Sequence, residues 1–187
     1  MQRFLIQYFS DLHNHLELNS KLTNQLITCK NFFEEAQKAG NKVIIFGNGG
    51  SAAMASHVTV DLTKNAGVRA VNFNEADLIT CFANDFGYDN WMQEALRMYS
   101  DPGDIIVLIS SSGSSPNVVK AAEWCNENSI PFITFTGMEV DNPLKSVNNK
   151  GLNFWVDSRA YNHIEMVHHI WLLAIVDMII GKAEYLA

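Results

Sequence analysis

Apolar residues recur at spacings of three and four from residue 4 to residue 39: Phe4, Leu5, Tyr8, Phe9 and Leu12, then Leu22, Leu26, Cys29, Phe32, Phe33 and Ala36. This is the spacing of helices with one apolar face, and the break at Asn19-Ser20 predicts two of them. Gly40 ends the second, and residues 42–46 follow as a short β-branched apolar run of the kind that forms a strand covered on both faces. Strand-like and helical runs then alternate. Strands are predicted at 68–73, 105–109, 131–136 and 152–156, and helices at 51–64, 76–82, 91–99, 118–126 and 161–180. Strands separated by helices argue for right-handed βαβ units. The expected fold is therefore α/β, a doubly wound five-stranded parallel sheet preceded by an N-terminal helical hairpin. No linker or repeat divides the chain, so residues 1–187 are expected to form a single domain, with the hairpin at 1–40 and the α/β core at 41–187.

Composition narrows the class. With 48% hydrophobic and 18% charged residues, 4 Pro and 11 Gly, the chain is neither a disordered tail nor a collagen-like repeat. Thirteen basic against 20 acidic residues leave a net charge of -7, which provides no footprint for binding nucleic-acid phosphates. Cys29, Cys81 and Cys125 are too widely spaced for a CxxC pair or a disulfide framework, and the first residues show no continuous apolar signal segment. A cytoplasmic location is expected. The longest apolar run, residues 170–180, is shorter than the roughly 18 residues of a membrane span and is interrupted by Asp177, so it is read as a buried helix. The face made by Ile164, Val167, Trp171, Ile175 and Met178 belongs to the core or an oligomer interface. Cys81, with no basic neighbour in sequence, is assigned to the apolar interior.

Two loops carry the candidate chemistry. In doubly wound sheets ligands bind beyond the carboxyl ends of the strands, where the strand order reverses. Gly47-Asn48-Gly49-Gly50-Ser51 leaves the first strand and opens a helix, so glycines allow close backbone approach and free N–H groups face an anion. Ser110-Ser111-Ser112-Gly113-Ser114-Ser115 leaves the third strand with five hydroxyls in six positions, before a helix that Ser114 or Ser115 is placed to cap. In the order 2-1-3-4-5 the two loops are neighbours. Each alone is ordinary turn chemistry; together they point to a phosphate or sugar-phosphate. A triphosphate loop is excluded by the missing GxxxxGK[ST] lysine, and a dinucleotide fingerprint by the missing GxGxxG.

The order of these motifs, with His57-Val58-Thr59-Val60-Asp61-Leu62-Thr63 and Ala83-Asn84-Asp85-Phe86-Gly87-Tyr88, resembles the sugar isomerase (SIS) domain family and, within it, the phosphoheptose isomerase group. The resemblance implies a flavodoxin-like sheet and a homotetramer with active sites at subunit interfaces. It also implies an aldose-ketose isomerase acting on sedoheptulose 7-phosphate. On the matching positions it places phosphate contacts at Ser110, Ser112 and Ser115 with Ser111 beside them, and sugar contacts at Asn48, Gly49, Ser51 and Asp85.

The sequence departs from the family at both acid/base positions. The family's glutamate on the helix after the first loop is Asp61 here, a carboxylate about 1.5 Å shorter in reach, four residues after His57. The glutamine and histidine of its last helix fall on Glu165 and Leu173, with His168 and His169 between them. On a helix His169 shares the face of Glu165 and Leu173, whereas His168 points away. The candidate proton-transfer residues are therefore Asp61, Glu165 and His169. Some family members hold zinc here, and the corresponding set is His57, Asp61, Glu165 and His169, donors that suit Zn²⁺. His57 and Asp61 equally make an ordinary surface pair. The alternative to an enzyme is a non-catalytic SIS protein that binds a sugar phosphate or a protein partner.

Overall fold

The computed structural model describes residues 1–148 and 151–184. Five strands, β1 (Val43–Gly47), β2 (Ala70–Val71), β3 (Ile105–Ser110), β4 (Phe132–Gly137) and β5 (Leu152–Val156), form one parallel sheet in the order β2-β1-β3-β4-β5. Around it lie α1 (Gln2–Leu16), α2 (Ser20–Ala39), α3 (Gly50–Lys64), α4 (Ala76–Phe86), α5 (Trp91–Tyr99), α6 (Pro116–Glu127), α7 (Pro143–Val147) and α8 (Tyr161–Ile180). This is the doubly wound architecture expected from the alternating pattern.

Side chains alternate across each strand and so feed two separate cores. Val43, Ile45, Val107, Ile109, Phe135 and Phe154 pack under α2, α3 and α8. Ile44, Phe46, Ile106 and Leu108 pack under α5 and α6. Helix α8 is long and apolar enough to cross a membrane by length and composition alone. Its Ile164, Val167, Leu172, Ile175 and Val176 are instead spent on the first core, as its apolar face predicts.

Three local readings change. Strand β2 is two residues long, because the Asn72 side chain accepts the Asn74 N–H and Asn74 donates to the Ala52 carbonyl, drawing the chain off the sheet towards α3. Helix α4 continues to Phe86 and stops at Gly87 (φ 84°), so Asp85 lies on a helix. Helix α7 was not expected, since five residues carry too little periodicity to read; Asn142 caps it by accepting the Lys145 N–H.

Helix α1 buries none of its residues and leaves Phe4, Leu5, Ile6 and Phe9 exposed. Its Tyr8 meets the buried His163 of α8 edge-to-face, with ring centroids 4.2 Å apart.

His168 points into the core, fully buried, and its Nε2 donates to the Thr136 carbonyl of β4. Burial outweighs that hydrogen bond and pushes the imidazole down to about 4. A depressed folded-state value means that the unfolded chain binds the proton first as pH falls, so His168 contributes stability above about pH 6.5 that is lost as the pH approaches 4. Between pH 7 and pH 5 the expected loss from this residue is about 2 kcal/mol. Urea denaturation at the two pH values checks it: His168→Gln keeps a donor for the Thr136 carbonyl and is expected to flatten that part of the pH dependence.

Candidate active site

Gly47, the last residue of β1, pairs with Ile109 of β3, so the chain leaves the two strands side by side. A Cβ at Gly47 would lie 2.6 Å from Ser51 Cβ, and Gly49 has φ 54°; only glycine allows the loop to fold this tightly onto the first turn of α3. The two loops are then joined across the switch point. Asn48 Nδ2 donates to Asn117 Oδ1 at 2.9 Å, and Asn117 Nδ2 returns a bond to Asn48 Oδ1 at 3.0 Å. Tyr88 donates its hydroxyl to the same Asn48 oxygen. Neither Asn117 nor Tyr88 was foreseen as part of the site; the signal for Asn117 was its place in the first turn of the helix that the serine loop opens.

Ser110 and Ser111 are buried, and Ser112 and Ser115 are half-buried. The Ser110 hydroxyl donates to Ser115 Oγ at 3.2 Å, and Ser112 Oγ accepts the Ser114 N–H. Ser111 Oγ is buried with no partner among the described residues. Ser115 is the N-cap of α6 but makes no side-chain cap, because its hydroxyl turns towards Ser110. Pro116 has no N–H and the Val118 N–H is taken by the Ser115 carbonyl and Asn117 Oδ1, so in the first turn of α6 the Asn117 N–H is the donor left for an anion among the described residues. Helix α7 props the loop from behind. The Leu144 N–H donates to the Gly113 carbonyl, and the Asn142 side chain fills the space where a Cβ at Gly113 (φ 64°) would sit.

The other wall is the line of contact between α3 and α8. The Glu165 carboxylate lies against Gly50, so closely that a Cβ there would be 2.6 Å from its Cδ. One turn further along α8, His169 Nε2 is 2.9 Å from His57 Nδ1, with the rings nearly perpendicular. His57 Nε2 is 3.2 Å from Asp61 Oδ2, and Asn65 donates to Asp61 Oδ1. Burial, and then the neighbouring His57, hold His169 below the usual imidazole range against the opposing pull of Asp61, so the ring is neutral at neutral pH. Leu173 packs against the core.

Asp85 is exposed, near Asn84 and Cys81 on its own helix, and makes no bond to the two loops among the described residues. Cys81 is exposed rather than buried, because α4 turns that face outward, with Sγ 3.8 Å from Asp85 Oδ2.

The expected zinc set does not assemble: among the described residues no three His, Cys, Asp or Glu side chains converge as a metal site. The physical reason is that His57 stands between Asp61 and His169, with one ring nitrogen turned to each of them, so its lone pair is not turned to a shared ion.

A parallel sheet with a glycine loop and a serine loop joined across its switch point defines the class, and the chain belongs to the SIS domain family, which matches residues 7–137. It is similar to the phosphoheptose isomerase of Colwellia psychrerythraea, at 34% identity over 146 residues covering 75% of this chain and 74% of that one. It is 37% identical over 140 residues to a probable phosphoheptose isomerase of Thermoplasma acidophilum, covering 71% of this chain and 75% of that one. The solved phosphoheptose isomerase from Neisseria gonorrhoeae shares the fold, with a TM-score of 0.86 at 24% identity over 95% of this chain and 98% of that one.

Protein purified without a histidine tag and then incubated with zinc is expected to retain less than about 0.1 equivalent per chain by elemental analysis. Stoichiometric zinc would require the His57–His169 bond to open.

Proposed function

We propose that this protein is a phosphosugar aldose-ketose isomerase, acting on sedoheptulose 7-phosphate or a ketose phosphate of similar length by proton transfer through an enediol. The observation that carries the reading is the division of the site into two walls. On one side lie the hydroxyls of Ser110, Ser111, Ser112 and Ser115 with the first turn of α6; on the other lie the titratable groups Asp61, Glu165 and His169. Between them run Asn48, Gly49 and Ser51. A phosphate anchored on the first wall supplies binding energy remote from the chemistry, and a long carbon chain carries its carbonyl end towards the second. Donors along the first loop suit the oxyanion of the enediol, and Asp85 at the exposed rim suits a sugar hydroxyl.

The similarity to phosphoheptose isomerases favours the enzyme over a non-catalytic binder of a sugar phosphate or protein partner. A cytoplasmic enzyme of one domain fits the reading. Zinc has no step in it, because His57 is committed to its two neighbours. The direct test is incubation with sedoheptulose 7-phosphate while following aldose formation. Binding without turnover would favour the non-catalytic reading.

Replacing Ser112 and Ser115 together by alanine is expected to raise KM for the phosphosugar by about 5- to 100-fold, the scale of lost hydrogen bonds to a charged group. An unchanged KM would move the phosphate elsewhere.

The assembly belongs to the same reading: a homotetramer with α1 in the interface and active sites at the boundaries between subunits. Phe4, Leu5 and Phe9 are 63%, 48% and 63% exposed on one side of a helix that buries nothing of its own, an apolar face of the kind that subunits cover. Light scattering at micromolar concentration is expected to give four chains, and a stable monomer would refute it.

A further inference from the structure

We propose, resting on the isomerase reading, that Asp61, His57 and His169 form a hydrogen-bonded relay in which Asp61 and His57 are positioning residues and Nδ1 of His169 is the atom that accepts the substrate's proton. The direction of the relay follows from donor and acceptor bookkeeping. An ionised carboxylate only accepts, so the His57 nitrogen 3.2 Å from Asp61 Oδ2, Nε2, bears a hydrogen. A neutral imidazole carries one N–H, which leaves His57 Nδ1 with a lone pair. His169 Nε2 faces that lone pair at 2.9 Å, and two lone pairs repel at this distance, so His169 Nε2 carries the hydrogen and donates it. The remaining lone pair in the series is on His169 Nδ1, which makes no hydrogen bond among the described residues and is not sealed from solvent.

Asp61 itself is poorly placed to take a substrate proton. Its Oδ2 is held by His57 and its Oδ1 by Asn65, and its side chain is 18% exposed against 50% for His57. Its charge acts at a distance. When His169 becomes an imidazolium, its Nε2–H strengthens towards His57, and His57 in turn leans on the carboxylate. The two departures from the family pattern thereby become one arrangement. The shorter Asp61 reaches its own helix neighbour rather than the substrate, and the histidine absent at Leu173 is supplied one turn earlier by His169.

In the step itself, the C–H bond beside the carbonyl breaks and its proton goes to His169 Nδ1. The electron pair forms the carbon–carbon double bond of the enediolate. His169 then returns the proton to the neighbouring carbon while the hydroxyl proton crosses to the other oxygen, so no proton or electron is gained or lost.

The test is ¹⁵N NMR of histidine-labelled protein at neutral pH without substrate. In both His57 and His169 the expected pattern is a fully protonated Nε2 and a bare Nδ1, rather than the tautomer average of free imidazole. In Asp61→Asn the His169 pattern is expected to relax towards that average, although residue 61 makes no bond to His169. Asp61 also reaches His169 through its charge, so the same spectrum is taken of His57→Phe, which keeps the carboxylate and removes the link: the His169 pattern is expected to relax there as well, a pair of results that a merely structural role for Asp61 would not produce. In Asp61→Asn kcat is expected to fall about 10- to 100-fold with KM within about twofold of the parent.

A hydrogen on His169 Nδ1 in the parent protein, or a His169 pattern untouched by Asp61→Asn, would overturn the relay. If Asp61→Asn does not fold, the parent pattern decides alone. An inactive parent that shows the expected pattern overturns the isomerase reading and leaves the hydrogen-bond order standing; an active parent with the opposite pattern overturns the relay and leaves the reading.

Discussion

Everything that sets this site depends on the pairing of β1 with β3. Because β2 and β3 lie on opposite sides of β1, the chain leaving β1 turns one way and the chain leaving β3 the other, which opens a crevice between loops that are far apart in sequence. The strands have no freedom to shift. Each is buried on both faces by an alternating set of side chains, and a slip of one residue would exchange the two cores. The reciprocal amide pair of Asn48 and Asn117 is a consequence of that register, since it requires β1 and β3 to end level with one another.

The second element of the site comes from helix packing rather than from the sheet. Helices α3 and α8 share a core with α2, and apolar residues such as Ala55, Val58, Ile164 and Val167 bring their backbones together. Where the line of contact emerges from the core, the residues are Gly50, His57 and Asp61 on one helix and Glu165 and His169 on the other. Gly50 has no side chain, so the Glu165 carboxylate can lie on the backbone there. The two adjacent histidines of α8 show how finely this boundary divides chemistry. His168 is fixed against Thr136 in the core, whereas the next residue turns by about 100° and reaches His57.

Much of this was legible along the chain. The architecture follows from alternating helical and strand periods, and both loops were recognisable because glycines and serines stand directly after apolar strands. Glu165 and His169 were assigned to one face by helical spacing alone. Local pattern failed where its signal was short or where a neighbour changed the outcome. Helix α7 spans too few residues to show a period, yet its Asn142 props the serine loop. Cys81 has the sequence surroundings of a buried thiol, but α4 turns it to solvent.

The sequence by itself determined which segments become strands and helices, the parallel order of the sheet and the residue types offered at its carboxyl edge, because those follow from periodicities of two and 3.6 and from backbone freedom at glycine. Only the tertiary structure decided which titratable groups meet. His57, Asp61 and His169 span a sequence separation of 112, and their spacing in sequence allows a metal site, a surface pair or a hydrogen-bonded series equally well. The packing of α8 on α3 selected the last by placing one imidazole between a carboxylate and a second imidazole. Hydrogen bonds act over about 3 Å, and sequence spacing does not specify distances on that scale between residues of different helices.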